Sequence, residues 1–290
     1  VSDPAAPATP THGPVDGPVD GPVDGPASEL ADLAVEVARA AAALVRERAL
    51  GTITVADTKT SAIDVVTQAD RDTEALVRQL ILARRPDDAI LGEEGDDVVG
   101  TSGVRWVVDP IDGTVNFLYG IPQYAVSLAA EVDGEVVAGV VVDVAKQVEY
   151  VARPGADGTT VALRDGVPIR VGPERPLGQR LIGTGFSYVT EVKVVQVAAV
   201  GRLLPRIRDV RRLGSCALDL CHVAEGRLDG YVEEGVNLWD HAAGGLIARA
   251  AGAHTETGPG AGGLTLLLCA PSHGVDDLRQ ATVEAGFWAE

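Results

Sequence analysis

Methionine is absent, cysteine occurs three times in 290 residues, and aromatic residues make up 4% of the chain. With no initiator methionine, the chain is expected to be a processed or truncated form. Cys216, Cys221 and Cys269 include no Cys-x-x-Cys spacing. So odd and sparse a set reads as reduced, buried thiols in a cytoplasmic protein. The shortage of aromatics leaves Ala, Val and Leu to fill the core. Positive charge is also scarce: Lys and Arg number 24 against 42 Asp and Glu, a net charge of −18. Such a chain repels nucleic-acid phosphates and anionic membranes, which argues against a general nucleic-acid-binding role. Long apolar runs are missing too. Stretches such as Val136 to Val142 are far too short to span a membrane, and no basic segment precedes an apolar one as in a secretory signal. If the substrate is an anion, something must invert the field locally, and bound cations do that well.

Hydrophobic residues make up 46%, enough for one large domain or two closely joined halves. Residues 1 to 27 stand apart. They hold 7 of the 17 prolines, and positions 13 to 24 repeat Gly-Pro-Val-Asp three times. Proline at every fourth residue blocks helix and sheet pairing, so an extended, disordered tail is expected there. Residues 28 to 290 then form the folded part, with a first half to 180 and a second half from 181.

Ser28 is the expected N-cap of a helix closed by Gly51. Thr67, with Asp70 three residues on, is expected to cap a second helix that ends before Pro86. Strands follow at 89–92, 104–108, 125–132 and 135–142, the last two joined by the turn dipeptide Asp133-Gly134. Another strand is expected at 148–152. Residues 153 to 180 carry no clear pattern. Beyond them a strand at 181–183, a helix at 191–204, a helix capped by Ser215 and a strand at 228–232 are expected. A helix capped by Asp240, a strand at 264–270 and a last helix from about 274 complete the chain. Strands mixed with helices on both sides suggest layered sheets and helices.

Three acidic clusters carry the chemistry, each at a strand end or a helix start: Gly92-Glu93-Glu94, Asp109-Pro110-Ile111-Asp112-Gly113-Thr114, and Trp239-Asp240-His241-Ala242-Ala243-Gly244. In the middle cluster a Val-rich strand delivers Asp109, and a tight turn can aim Asp109, Asp112 and the Ile111 carbonyl at one point. That is an all-oxygen set suited to Mg²⁺. If a helix begins at Gly113 and Thr114, their N–H groups can hold a phosphate. Metal ligands beside an anion cradle are the layout for metal-assisted transfer of a phosphoryl group to water.

The three clusters, in this order, resemble the inositol monophosphatase family of Mg²⁺-dependent, lithium-sensitive phosphatases. Supporting matches are the Lys-x-Ser-x-x-Asp-x-Val-Thr-x-x-Asp pattern from Lys59 to Asp70, the Gly120-Ile121-Pro122 run, and Arg211 to Leu220. The resemblance covers residues 28 to 290. It implies a layered α-β-α-β-α sandwich, a homodimer, two to three Mg²⁺ ions and a small phosphorylated polyol or sugar as substrate. By motif position Glu93, Asp109 and the Ile111 carbonyl hold a first metal. Asp109, Asp112 and Asp240 hold a second, and Glu93 contacts a third through water. Glu93 and the Thr114 hydroxyl orient or deprotonate the attacking water. Asp70 lies near the water network and Lys59 on a flanking loop, their plainer readings being a helix cap and a surface charge. Gly113 and Thr114 cradle phosphate, while Glu233, Ser215 and Cys216, with Gly214, line the pocket for the substrate's hydroxyls. Substrates within reach are myo-inositol 1-phosphate, fructose 1,6-bisphosphate and histidinol phosphate. A regulatory protein-binding role in a transcription complex is the rival from another class. The loop from Lys59 to Ala62 and the segment 153–160 depart from the family pattern.

Overall fold

The computed structural model describes residues 25–51, 53, 55–58 and 65–289, so Lys59 and most of the expected tail lie outside the described residues. In chain order the first half comprises α1 (Pro26–Ala49), β1 (Val55–Thr58), β2 (Val65–Thr67), α2 (Gln68–Arg84), β3 (Ala89–Gly92), β4 (Val104–Asp112), α3 (Thr114–Leu118), β5 (Ala125–Val132), β6 (Glu135–Asp143), β7 (Val148–Pro154), β8 (Thr160–Arg164) and β9 (Val167–Pro168). The second half comprises β10 (Leu181–Thr184), α4 (Thr190–Leu203), β11 (Asp209–Arg211), α5 (Cys216–Ala224), β12 (Gly230–Glu234), α6 (Leu238–Ala250), β13 (Ala253–Pro259), β14 (Thr265–Pro271) and α7 (Val275–Ala285).

Strands β3 to β9 form one sheet in sequence order, antiparallel except for the parallel β3–β4 pair. The second sheet has the order β11-β10-β12-β14-β13. Three cores separate five layers. Leu30, Val37 and Val45 of α1 and Val77 and Ile81 of α2 pack with Trp106, Leu128 and Val140 on one face of the first sheet. Helices α5 and α6 fill the space between the sheets, where Leu220 and Ile247 join Val107 and Val141 to Tyr231 and Leu267. Outside the second sheet, Leu203 of α4 and Leu278 of α7 meet Ile182 and Leu268. The expected α-β-α-β-α layering is the architecture observed. It explains why β5 and β6 read as continuous apolar runs, since both faces of the first sheet are covered. No helix among the described residues is long and apolar enough to cross a membrane.

Local chemistry accounts for most boundaries. Thr67 and Asp70 form the expected capping box of α2. Asp133 and Gly134, at φ of 53° and 85°, make the β5–β6 hairpin turn. Four expectations need correction. Helix α1 starts at Pro26, inside the expected tail, because proline suits the first helical position. Ser28 therefore lies within the first turn, buried and not capping. Asp240 is the third residue of α6, not its cap, which is Asn237. Strand β4 does not stop at Val108 but runs through Asp112, with a register shift between Asp109 and Asp112 that accommodates Pro110. The unpatterned stretch holds β8 and β9, turned by Asp165-Gly166 at φ of 49° and 79°. The expected strand at 228–232 is shifted to Gly230–Glu234.

Candidate active site

A cavity of about 530 Å³ opens where the C-terminal ends of β3 and β4 meet the starts of α5 and α6. Ten of the twelve predicted site residues line it. The exceptions are Asp70, which lies behind it, and Lys59, which falls outside the described residues.

The bulge in β4 separates its two carboxylates. Asp109, fully buried, lies beside Glu93 at the end of β3, where burial and the neighbouring carboxylate both oppose its ionisation. Asp112 turns toward α5. It accepts from Ser215 Oγ at 2.6 Å, the Ala217 N–H at 2.7 Å and the Cys216 N–H at 3.3 Å. It thus complements the positive end of that helix. Asp240 accepts from the Asn237 N–H at 2.5 Å in the first turn of α6.

Burial and mutual repulsion raise all three aspartates. Desolvation holds Asp109 well above the usual carboxylate range, with Glu93, Asp112 and Asp240 adding to it. Asp240 is raised by burial and by Glu93. Asp112 is pushed up to about 7 by burial despite its three donors. Among the described residues no three Asp, Glu, His or Cys side chains are already drawn into a metal-holding group. The donor set nonetheless fits hard divalent cations. Four carboxylates crowd one cavity, each opposes its neighbours' ionisation, and cationic charge is what would let all four ionise together.

Thr114 sits at the floor. Its Oγ1 is 3.0 Å from Asp70 Oδ1 and 3.0 Å from the Ile111 carbonyl oxygen. Its partners are therefore Asp70 and Ile111. Asp70 has the helix-cap role weighed for it, one oxygen accepting from the Thr67 N–H at 2.9 Å, while its other oxygen accepts from Thr114 Oγ1. Gly113 before α3 has φ of 96°, a conformation that L side chains rarely adopt.

Ser215, Cys216 and Glu233 face the same cavity. The Tyr231 hydroxyl donates to Glu233. A Cβ on Gly185 would overlap the Glu233 carboxylate, so that wall admits only glycine unless Glu233 moves. Burial pushes the Cys216 thiol well up, which suits packing and not reactivity. His241 does not line the cavity, and burial lowers it to about 4.

Sequence reasoning missed two residues. Glu74 of α2 is buried and accepts from the N–H groups of Glu94 at 2.8 Å and Gly95 at 2.9 Å, fixing the loop that carries Glu93. Its only sequence mark was Arg78 four residues on, which pairs with it. Arg212 lines the cavity as well. It stands within the Arg211 to Leu220 segment, where nothing in the sequence sets it apart from Arg211.

Comparison with known proteins gives a consistent picture. The family model described as "Inositol monophosphatase family" matches residues 27–277. The chain is 47% identical over 232 residues to "Inositol-1-monophosphatase SuhB" of Mycobacterium tuberculosis, covering 78% of this chain and 80% of that protein. The solved structure "Mycobacterium tuberculosis SuhB" superimposes with a TM-score of 0.76 at 40% identity, covering 92% of this chain and 100% of that one. The chain is also 35% identical over 223 residues to "Nus factor SuhB" of Escherichia coli, covering 76% and 82%.

Proposed function

This chain belongs to the inositol monophosphatase family and is a phosphatase, and we propose that it hydrolyses the phosphate monoester of a polyol, myo-inositol 1-phosphate first, in a divalent-metal-dependent reaction. The observation that carries the reading is the convergence of Glu93, Asp109, Asp112 and Asp240 on one cavity beside the start of α3. A relative 47% identical is named for that activity.

The donors suited to the ions are Glu93, Asp109 and the Ile111 carbonyl for one, and Asp109, Asp112 and Asp240 for another, with Glu93 facing a third. Two to three Mg²⁺ ions held there would neutralise the carboxylates, admit a phosphate dianion and acidify the attacking water. Glu93 takes the proton of that water. Thr114 gives its hydroxyl proton to Asp70 or the Ile111 carbonyl, which leaves an Oγ1 lone pair to accept from the water and hold it in line with phosphorus. In this reading the Gly113 and Thr114 N–H groups meet the equatorial oxygens, whose charge must be balanced in the transition state. Asp70, fixed by Thr67, keeps Thr114 in its rotamer. No covalent phospho-enzyme is needed. Glu233, Ser215 and Cys216 form the wall that the alcohol part of the ester faces, and the working form is a homodimer.

The test is phosphate release from myo-inositol 1-phosphate, fructose 1,6-bisphosphate and histidinol phosphate in parallel, each with Mg²⁺, with EDTA, and with Mg²⁺ plus Li⁺. The expected result is turnover strongest on the inositol ester, abolished by EDTA and suppressed by Li⁺. Turnover strongest on another ester keeps the site and changes the substrate.

The names of relatives such as "Nus factor SuhB" favour one other reading, a protein-binding role in a transcription complex. A transcription partner retained by an Asp112→Asn variant that has lost turnover would support it.

A further inference from the structure

Arg212 brings a guanidinium to a cavity whose other charged lining residues are Glu93, Asp109, Asp112, Glu233 and Asp240, all carboxylates. It is the one cationic side chain among the described lining residues. It follows β11 and folds back over the turn before α5. Its Nη1 stands 2.5 Å from where a Cβ on Gly214 would be, which ties the guanidinium to the rim next to Ser215. Among the described residues it makes no hydrogen bond and no close ion pair. Its five N–H donors are therefore not consumed by the fold.

Glu233 stands at the end of β12, held by the Tyr231 hydroxyl and pressed against Gly185. Arg212 and Glu233 are near enough to feel each other's charge, and so is Asp219 in the layer behind. An acceptor-only group and a donor-only group thus share one end of the cavity without closing on each other. That pairing complements neighbouring hydroxyls, because each hydroxyl can donate to the carboxylate and accept from the guanidinium. It is a poor match for the alternatives. A second phosphate would gain from Arg212 and be repelled by Glu233, and an ammonium group would meet the reverse. A neutral polyhydroxylated ring satisfies both.

We propose that Arg212 is a specificity-determining residue which, with Glu233, reads adjacent ring hydroxyls of the substrate. Arg212 donates to the hydroxyl oxygens, and Glu233 accepts their protons. The inference rests on the phosphatase reading of this same cavity and deepens it by adding Arg212 to the wall that meets the alcohol part of the ester.

The test compares wild type with Arg212→Gln and Arg212→Lys on two esters at saturating Mg²⁺. One is myo-inositol 1-phosphate, and the other is p-nitrophenyl phosphate, which has no hydroxyl to read. Loss of a charged donor fork is expected to raise KM for the inositol ester roughly 10–100-fold. On that ester kcat should stay within about twofold, and both constants for p-nitrophenyl phosphate should be unchanged. Arg212→Lys should recover part of the affinity, since it keeps the charge without the fork. An equal loss on both esters, or no change on the inositol ester, overturns the role of Arg212 while leaving the phosphatase intact. Wild type that hydrolyses p-nitrophenyl phosphate but not the inositol ester overturns this inference and the polyol substrate together. Wild type that hydrolyses neither ester removes the phosphatase reading, and the inference with it.

Discussion

Thr114 Oγ1 lies 3.0 Å from Asp70 Oδ1, across 44 positions of sequence, so the residue that completes the capping box of α2 also holds a hydroxyl that lines the cavity. The first helix pair and the first sheet are coupled at that point. Replacing Thr114 by Ala is expected to lower kcat roughly 100-fold, the scale of a lost proton-transfer or water-orienting group. Thr114→Ser should retain most of the activity, because it keeps the oxygen. Steady-state kinetics with a melting curve as control checks both. Full activity in the Ala variant would remove Thr114 from the mechanism.

The raised aspartates make a prediction about pH. Asp112 titrates near 7 in the folded chain and near 4 in an unfolded one. Between those values the folded protein holds the extra proton, so Asp112 lowers stability as pH rises through that window. His222 and His241, both lowered to about 4 by burial, act in the opposite sense below about pH 6.5. They cancel in a comparison of wild type with Asp112→Asn. In EDTA the variant's stability relative to wild type should therefore increase from pH 5 to pH 8. Chemical denaturation at the two pH values measures this, and a difference that is flat or falls would contradict the assignment.

Glu74 is expected to matter although it does not line the cavity. Glu74→Gln leaves two backbone N–H groups and Arg78 short of a charged acceptor, which should cost about 1–3 kcal/mol. The Mg²⁺ concentration needed for half-maximal activity should rise as well, because the loop carrying Glu93 loses its anchor. A variant with wild-type Mg²⁺ dependence would show that Glu93 is held by other means.

A methyl group at Gly185 would overlap Glu233. Gly185→Ala should raise KM for the inositol ester with little change in kcat, and an unchanged KM would mean that Glu233 does not contact substrate.

The layering and the acidic set were legible because they rest on short-range signals. Buried strands read as apolar runs, Thr67 and Asp70 form a local capping box, and the three acidic motifs are each contiguous. What escaped depends on contacts distant in sequence. Strand β4 continues past Pro110 only because β5 pairs with it at Ser127 and Ala125. Asp240 looked like a cap because Asn237, the actual cap, is equally suited to that position. Glu74 reads as an ordinary helix-face acid until the loop 20 residues on is folded against it. Arg212 gains its meaning only when β12 brings Glu233 to the same cavity. The β8–β9 turn is a different case: Asp165-Gly166 is a short-range turn signal in the sequence itself.

The central claim is that the clustered carboxylates hold divalent cations which make this cavity a phosphatase. Phosphate release from myo-inositol 1-phosphate by wild type and Asp112→Asn across a Mg²⁺ titration, at matched folded concentration, tests it most directly. The account predicts Mg²⁺-dependent turnover in wild type and a loss of at least about 100-fold in the variant that saturating Mg²⁺ does not restore. The variant's metal-free melting temperature at pH 8 should be no lower than that of wild type. Near-wild-type turnover by Asp112→Asn at saturating Mg²⁺ would contradict the metal assignment.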